Sequence, residues 1–358
     1  MNNDRAHIFN AGPAVLPFEA LQKASKAVLN YNGLGLSLIE MSHRSKEFEA
    51  VHLEAISNLK EIYNIPADYE IIFLQGGASL QFAMIPMNFL KQGETAHYVD
   101  TGTWSTKAYK EAKNFGEVKV IATSEDKKYT YIPKNIPDEK CSYLHITSNN
   151  TIRGTQYFNF PKIKNSPLIC DMSSDILSRQ VNISDFDMIY AGAQKNAGPS
   201  GVTIVIIKKT FLESSACKSA YLNYKTHSKE NSLYNTPCTF ATYVMGEVFK
   251  WIKSIGGLDE VEKRNREKAK LLYDCIENSN GFYRAPVEKN DRSWMNVPYK
   301  LPTEELEAKF LKEASLKRFF GLKGHRSIGG VRASLYNACP LESVQALVSF
   351  MKEFKKNN

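Results

Sequence analysis

The sequence predicts an α/β protein built on a mostly parallel sheet. Short apolar, β-branched runs alternate with helical patterns between Tyr69 and Ile207, the mark of strand–helix–strand units whose crossovers make neighbouring strands parallel. A glycine turn follows one strand directly, in Leu74-Gln-Gly-Gly-Ala-Ser79, where a helix takes over. A chain of 358 residues with 43% hydrophobic side chains is long enough for one large unit and a smaller companion.

Taken in order, Asn10-Ala-Gly-Pro-Ala14 is a turn, and Pro17 stands where the start of a helix from Phe18 to about Tyr31 tolerates it. The irregular stretch Gly33–Ser45 ends on Ser42-His43-Arg44-Ser45, just before an amphipathic helix from about Lys46 to Tyr63. A basic pair at a helix start opposes the helix dipole, which points either to a bound anion or to a solvated arginine. Seven strands are expected, at Tyr69–Leu74, Thr95–Asp100, Val118–Ala122, Ser142–Thr147, Leu168–Cys170, Met188–Ala191 and Val202–Ile207. Helices to about Leu90 and from Trp104 to about Phe115 flank them. Gly256-Gly257 then separates helices over Phe240–Ile255 and Leu258–Ser279, and the second, long and charged, suits a connector between domains. A strand at Trp294–Val297, a helix at Glu304–Phe319, a strand at Gly330–Tyr336 and a helix at Leu341–Phe354 complete a smaller C-terminal α+β domain. The expected division is an N-terminal arm over 1–15 packed on the small domain, a large domain over 16–257 and the small domain over 258–358.

Composition narrows the function classes. The net charge of +8, from 46 basic against 38 acidic residues, is dispersed, whereas nucleic-acid binding calls for a concentrated patch or a module, and neither is present. Met1-Asn-Asn-Asp-Arg-Ala-His7 offers no apolar leader and no apolar run is long enough to span a bilayer, so a cytoplasmic protein without membrane association is expected. The six cysteines, at 141, 170, 217, 238, 275 and 339, form no C-x-x-C pair; free thiols are expected, with neither a disulfide framework nor a metal site.

In open α/β sheets ligands bind beyond the carboxyl ends of the strands, and candidate ligands gather there: Gly76–Ser79, Thr101–Trp104, Ser148–Thr151, Asp171–Ser174 and Gln194–Lys195. Lys195 lies in Tyr190-Ala-Gly-Ala-Gln-Lys-Asn-Ala-Gly-Pro-Ser-Gly201 between two apolar runs, where small residues let something flat approach the backbone. Desolvated, its amine is freed for imine chemistry with a carbonyl; otherwise it is an exposed loop lysine. Asp171 can keep a pyridine nitrogen protonated, or cap a turn. Trp104 can stack on a ring or fill a core. The Gly76–Ser79 turn can cradle a phosphate on backbone N–H groups, although it lacks both the Walker lysine and the G-x-G-x-x-G spacing. Lysine, carboxylate, indole and phosphate nest together specify pyridoxal 5′-phosphate. In Gly324-His-Arg-Ser-Ile-Gly-Gly-Val-Arg332 the arginine forks match carboxylate or phosphate, or lie solvated.

Phe9-Asn-Ala-Gly-Pro-Ala14, Glu40-Met-Ser-His-Arg-Ser45, Gln75-Gly-Gly-Ala-Ser-Leu-Gln-Phe82, Gly192-Ala-Gln-Lys-Asn-Ala-Gly-Pro199, Tyr234-Asn-Thr-Pro237 and Gly324-His-Arg326 resemble the class-V aminotransferases of the pyridoxal-phosphate-dependent fold type I. The resemblance covers nearly the whole chain, and the Ser-His-Arg-Ser and Gly-His-Arg segments are those of the family's phosphoserine-converting branch. It implies a large domain with a mostly parallel seven-stranded sheet flanked by helices, a smaller C-terminal domain, and reversible transamination of 3-phosphohydroxypyruvate with glutamate to give O-phosphoserine and 2-oxoglutarate. That reaction belongs to serine biosynthesis, with pyridoxine biosynthesis a further implied route. Residue by residue, it implies that Lys195 forms the imine and moves the proton, Asp171 pairs with the pyridine nitrogen, Trp104 stacks on the ring and Thr151 binds the phenolic oxygen. Ala78, Ser79 and Gln194 would hold the cofactor phosphate, with Asn235 and Thr236 reaching it from the neighbouring subunit of a homodimer. Arg332 would clamp the substrate α-carboxylate, and His43, Arg44, His325 and Arg326 would receive the phosphate of phosphoserine or the side-chain carboxylate of glutamate.

Three positions depart from the family pattern: Ser79 stands where some members have arginine, Ala11 where some have serine, and Arg153 where tyrosine is expected. Arg153 has no role that the resemblance assigns. Within the fold, a cysteine desulfurase is disfavoured because no cysteine occurs between Asp291 and Asn337. A serine–glyoxylate aminotransferase, or a non-enzymatic anion-binding protein on the same scaffold, are the competing readings.

Overall fold

The computed structural model describes residues 5–358. The strands are β1 (His7–Ile8), β2 (Tyr69–Leu74), β3 (Thr95–Asp100), β4 (Glu117–Thr123), β5 (Leu144–Thr147), β6 (Leu168–Asp171), β7 (Met188–Gly192), β8 (Thr203–Lys208), β9 (Asn296–Tyr299), β10 (Phe319–Phe320) and β11 (Val331–Ser334). The helices are α1 (Phe18–Leu29), α2 (Lys46–Tyr63), α3 (Gly77–Phe89), α4 (Thr103–Ala112), α5 (Lys209–Leu212), α6 (Tyr224–Lys229), α7 (Thr239–Ser254), α8 (Gly257–Glu277), α9 (Glu304–Leu316) and α10 (Leu341–Lys356).

Seven strands form one sheet in the order β2-β8-β7-β6-β5-β3-β4. It is parallel throughout except at β8, which runs antiparallel to both β2 and β7. The cause is local: residues 193–202 join β7 to β8 without a helix, and a chain that returns without a crossover must return antiparallel. Strands in the middle of the sheet are buried on both faces, which is why they read as continuous apolar runs. The two-residue period still sorts their side chains. Ile71, Phe73, Ile189, Ala191, Ile204 and Ile206 face one core, while Ile72, Leu74, Met188, Tyr190, Val205 and Ile207 face the other. The outer strand β4 is largely exposed and carries charged residues, which protects an edge from unwanted pairing.

A separate core is built from α8, β9, α9, β11 and α10, and Phe9 and Val15 of the arm insert into it. The arm is fastened by β1 pairing in parallel with β10 and by Phe9 N–H donating to the Phe320 carbonyl at 2.8 Å. Here the structure corrects the expected helix through Phe319: α9 ends at Leu316 and Arg318 adopts φ 62°. A left-handed residue stops a helix, and that frees Phe319 and Phe320 to pair with the arm. Smaller corrections fall at other ends. The first helix stops at Leu29, before a single 3₁₀ turn over Tyr31–Gly33, and the strand expected at Trp294–Val297 lies at Asn296–Tyr299.

The long charged helix α8 hides one of its charges. Lys268 is 1% exposed, and its ammonium donates to the Leu335 and Tyr336 carbonyls, each at 2.8 Å. Burial pushes its pKa down to about 8. These bonds pin α8 to the chain leaving β11, the strand that carries Arg332.

The loop after β5 is anchored by Gly154, whose φ is +81° and where an added Cβ would lie 2.4 Å from Pro298 Cδ. Gly154→Ala should cost about 2–4 kcal/mol through left-handed strain and overlap with a rigid ring. Urea unfolding measures it, and a loss below about 1 kcal/mol would mean that the loop moves aside freely.

Candidate active site

The C-terminal ends of β3, β5, β6 and β7 deliver side chains to one place. Lys195, three residues beyond β7, donates from Nζ to Thr151 Oγ1 at 2.7 Å, and the same Nζ lies 5.9 Å from the centroid of the Trp104 ring at the start of α4. Burial and the nearby Arg332 lower the Lys195 pKa to about 8, while Asp171 opposes the shift. The amine thus loses its proton near neutrality. The Asn10–Ala14 turn covers the lysine stem. A Cβ on Gly12, whose φ is +139°, would touch Lys195 Cγ at 3.4 Å, and Ala14 N–H donates to the Gln194 carbonyl at 2.9 Å.

Asp171 is the last residue of β6 and only 5% exposed. Its Oδ1 accepts the Ser173 N–H at 2.8 Å. Burial pushes its carboxyl pKa up, opposed by Ser173, the Lys195 charge and the Tyr190 hydroxyl. Among the described residues no cation lies within ion-pair distance of it. A buried carboxylate without a cationic partner is costly unless something brings it one.

Arg332, on β11, reaches the same place from the small core. Its Nη1 donates to the Thr151 carbonyl at 3.2 Å, and its Nε is buried without a partner. The start of α3 supplies a nest: Gly76 and Gly77 have φ of 87° and 60°, no side chain caps the helix, and no acid stands in its first turn. Ala78 and Ser79 therefore present open N–H groups at the positive end of a helix. Gln194 is half-buried beside Gly192, where an added Cβ would fall 2.6 Å from Gln194 Oε1.

Other expected residues are placed differently. Asn235 Nδ2 donates to Gln75 Oε1 of the same chain at 2.9 Å, and Gln75 Nε2 to the Thr236 carbonyl at 3.4 Å, which sets this segment beside the residue preceding the nest. His43 is half-buried and Arg44 exposed just ahead of α2. Among the described residues no hydrogen bond or ion pair joins either to the Lys195 cluster. His325 and Arg326 lie in the loop before β11, with His325 Nδ1 2.8 Å from Ser327 Oγ. The His325 pKa is lowered first by burial and then by Arg332, Arg326, Lys107 and Arg153.

Sequence reasoning missed Lys107, and it singled out Arg153 without giving it a role. Lys107 lies three positions after Trp104 on α4, with its Nζ 4.6 Å over that ring, and helical spacing alone puts the two on one face. No sequence signal marks the surroundings of Arg153, because its neighbours come from distant segments.

The open N–H nest, the unpaired Asp171 carboxylate, the indole and the lysine fit pyridoxal phosphate: an anion, a protonated ring nitrogen, a flat face and a carbonyl, respectively. The arrangement as a whole can bind a planar phosphorylated cofactor and move a proton on Lys195 Nζ.

Comparison with known proteins agrees. The family model "Aminotransferase class-V" matches residues 6–347. The chain is 54% identical to the phosphoserine aminotransferase of Bacillus subtilis (strain 168) over 358 residues, covering 99% of each. It superimposes on the phosphoserine aminotransferase from Bacillus circulans subsp. alkalophilus with a TM-score of 0.97 at 51% identity, covering 99% of both chains. A pyridoxal-phosphate-bound phosphoserine aminotransferase from Trichomonas vaginalis aligns at 38% identity and a TM-score of 0.92, over 97% of this chain and 100% of that one.

In cofactor-free protein, the Lys195 amine should titrate near pH 8. Asp171→Asn should move that midpoint further down, by removing a charge that favours the ammonium, and Arg332→Ala should move it up. Labelling of Lys195 by an amine-reactive reagent across pH, read by mass spectrometry, checks all three; a midpoint above pH 10 would refute the desolvated lysine.

Proposed function

The chain belongs to the class-V aminotransferase family, and from that premise we propose that it is a phosphoserine:2-oxoglutarate aminotransferase, exchanging the amino group between O-phosphoserine with 2-oxoglutarate and 3-phosphohydroxypyruvate with glutamate. Pyridoxal phosphate, when bound, supplies a carbonyl for imine exchange and a protonated ring that draws electrons from the substrate Cα. The observation that carries the reading is the Lys195–Thr151 contact of 2.7 Å under Trp104 beside the unpaired Asp171 carboxylate, in a chain matched from end to end by phosphoserine aminotransferases.

Each residue has a task that its environment suits. Lys195, with its pKa near 8, takes the proton from the substrate Cα on Nζ and returns it. Asp171 keeps a cationic ring N–H paired in a dry site, and Trp104 covers a ring face. Thr151 Oγ1 is positioned to bind a phenolic oxygen, and Ala78, Ser79 and Gln194 hold the cofactor phosphate. The Arg332 fork takes the substrate α-carboxylate, which is common to both amino acids. His325 and Arg326, with His43 and Arg44, take the distal anion, phosphate in one substrate and carboxylate in the other.

The protein acts as a homodimer in which Asn235 and Thr236 reach the neighbouring subunit's cofactor. Supporting this, Leu34, Leu36 and Ile39 are each exposed in the short segment ahead of His43, apolar side chains that a second copy would cover. The chain divides into an arm over 1–15, of which 1–4 lie outside the described residues, a large domain over 16–257 and a small domain over 258–358 on which the arm packs, a division supported by Phe9 and Val15 in the small core. Buried, unpaired cysteines at 170, 275 and 339 suit a reducing cytoplasm, and among the described residues no helix is long and apolar enough to cross a membrane.

Purified protein reconstituted with the cofactor and titrated with phosphoserine should lose the absorption of the aldehyde form and gain that of the amine form. Faster conversion by serine than by phosphoserine would overturn the substrate. Lys195→Ala should lower turnover by about 10³-fold or more, and turnover at the wild-type rate would sink the mechanism. Arg332→Ala should weaken both amino acids by about 10- to 100-fold, while Arg326→Ala weakens phosphoserine more than glutamate.

A further inference from the structure

The charge beside Trp104 and Thr151 is unbalanced. Lys107 lies over the Trp104 ring, Arg153 packs at Gly102 and Arg332 binds the Thr151 carbonyl; with Arg326, from the loop that carries His325, they come from α4, the loop after β5 and the segment leading into β11. Among the described residues none of these four cations is in an ion pair with a carboxylate; the ion pairs of the fold use other arginines and lysines. One site thus draws cations from three distant parts of the chain without an acid to compensate them, although unpaired like charges repel and are expensive to collect in a cleft.

Packing aims Arg153 rather than leaving it to wander. Its Cγ would lie 3.3 Å from a Cβ at Gly102, the N-cap residue just before α4, and its guanidinium lies 5.1 Å over the Tyr129 ring. Its Nε is buried without a partner. The acid at hand is occupied: Asp100 accepts from the Tyr129 hydroxyl at 2.9 Å, Ser105 at 2.7 Å and Thr106 at 2.9 Å. Two residues before Arg153, Thr151 binds both Lys195 and Arg332. Lys107 is exposed and its Nζ lies over Trp104, the indole that also faces Lys195.

The α-carboxylate of a substrate occupies one guanidinium fork, for which Arg332 suffices. The remaining cations exceed what a second carboxylate needs and match a dianion with three acceptor oxygens. Besides His43 and Arg44, a further candidate source of charge, the start of α3, carries the neutral Ser79. We propose, on the reading above that phosphoserine is a substrate, that Arg153 and Lys107 are specificity residues of the distal-anion subsite. With His325 and Arg326 they receive the phosphate dianion of phosphoserine and favour it over the side-chain carboxylate of glutamate.

The test uses holoenzyme and two readouts: half-saturation of the spectral change with phosphoserine and with glutamate, and the inhibition constant of inorganic phosphate against glutamate. Arg153→Gln and Lys107→Met should each raise the phosphoserine half-saturation about 10-fold and weaken phosphate inhibition in parallel, with glutamate changed by less than about threefold. Arg153→Lys, which keeps the charge and loses the fork, should fall between wild type and Arg153→Gln. Because Lys107 is exposed, Lys107→Met reports even if the Arg153 variants fold poorly. Equal losses for the two amino acids, or phosphate inhibition unchanged in both Arg153→Gln and Lys107→Met, would overturn the assignment. A wild-type enzyme converted by glutamate but not by phosphoserine would overturn the proposed substrate instead, and phosphate inhibition would then still decide whether Arg153 and Lys107 bind the anion.

Discussion

The site depends on one constraint, a half-buried lysine whose amine end is desolvated. Among the described residues Lys195 Nζ has one hydrogen-bond acceptor, Thr151 Oγ1, where an ammonium in water would have three. That shortage, with Arg332 nearby, brings its pKa to about 8. Remove the burial and the amine stays protonated near pH 10.5, unable to act as a nucleophile or a base at neutrality. The rest of the architecture can be understood as what holds that amine dry, places a carboxylate near it and keeps an entry for anions.

The scaffold does so through the antiparallel return at β8. Were the sheet parallel throughout, a crossover helix would follow β7 and pack on a face of the sheet. The return to β8 without a crossover instead leaves a short loop rich in small residues at the end of β7, which carries Lys195 into the cleft. The arm closes this loop from above, by Gly12 against the lysine stem and Ala14 against Gln194. It is itself anchored to the small core through Phe9 and the β1–β10 pair. Chain segments more than 300 residues apart therefore meet at the lysine, as when Tyr336 Oη donates to the Ala11 carbonyl.

Charge in the cleft is graded. The buried Asp171 lies on the large-sheet side and the cations Arg332, Arg326, Lys107 and Arg153 gather around His325. A cationic ring and anionic substituents would find complementary ends. In the buried core of α8, Lys268 follows a different rule. It is satisfied by backbone carbonyls and works as a clamp, so a depressed lysine pKa alone does not identify a catalytic amine.

Patterns that act over a few residues were open to sequence reading. The seven strands, the helix over Lys46–Tyr63, the nest at Gly76–Ser79 and the lysine among small residues all follow from periodicity, caps and steric bulk, which neighbours in the chain set. The end of α9 was missed because pairing with an arm 300 residues away outweighs local helix preference. Arg153 was unassigned for the same kind of reason: its surroundings, Gly102, Tyr129 and the cations around His325, are assembled only by folding. The sequence by itself determined which chemical groups the protein can bring to bear and the strand ends that bear them. Only the tertiary structure decided which of them share a dry cleft, because burial and the field of distant charges are properties of the packed chain and not of any stretch of it.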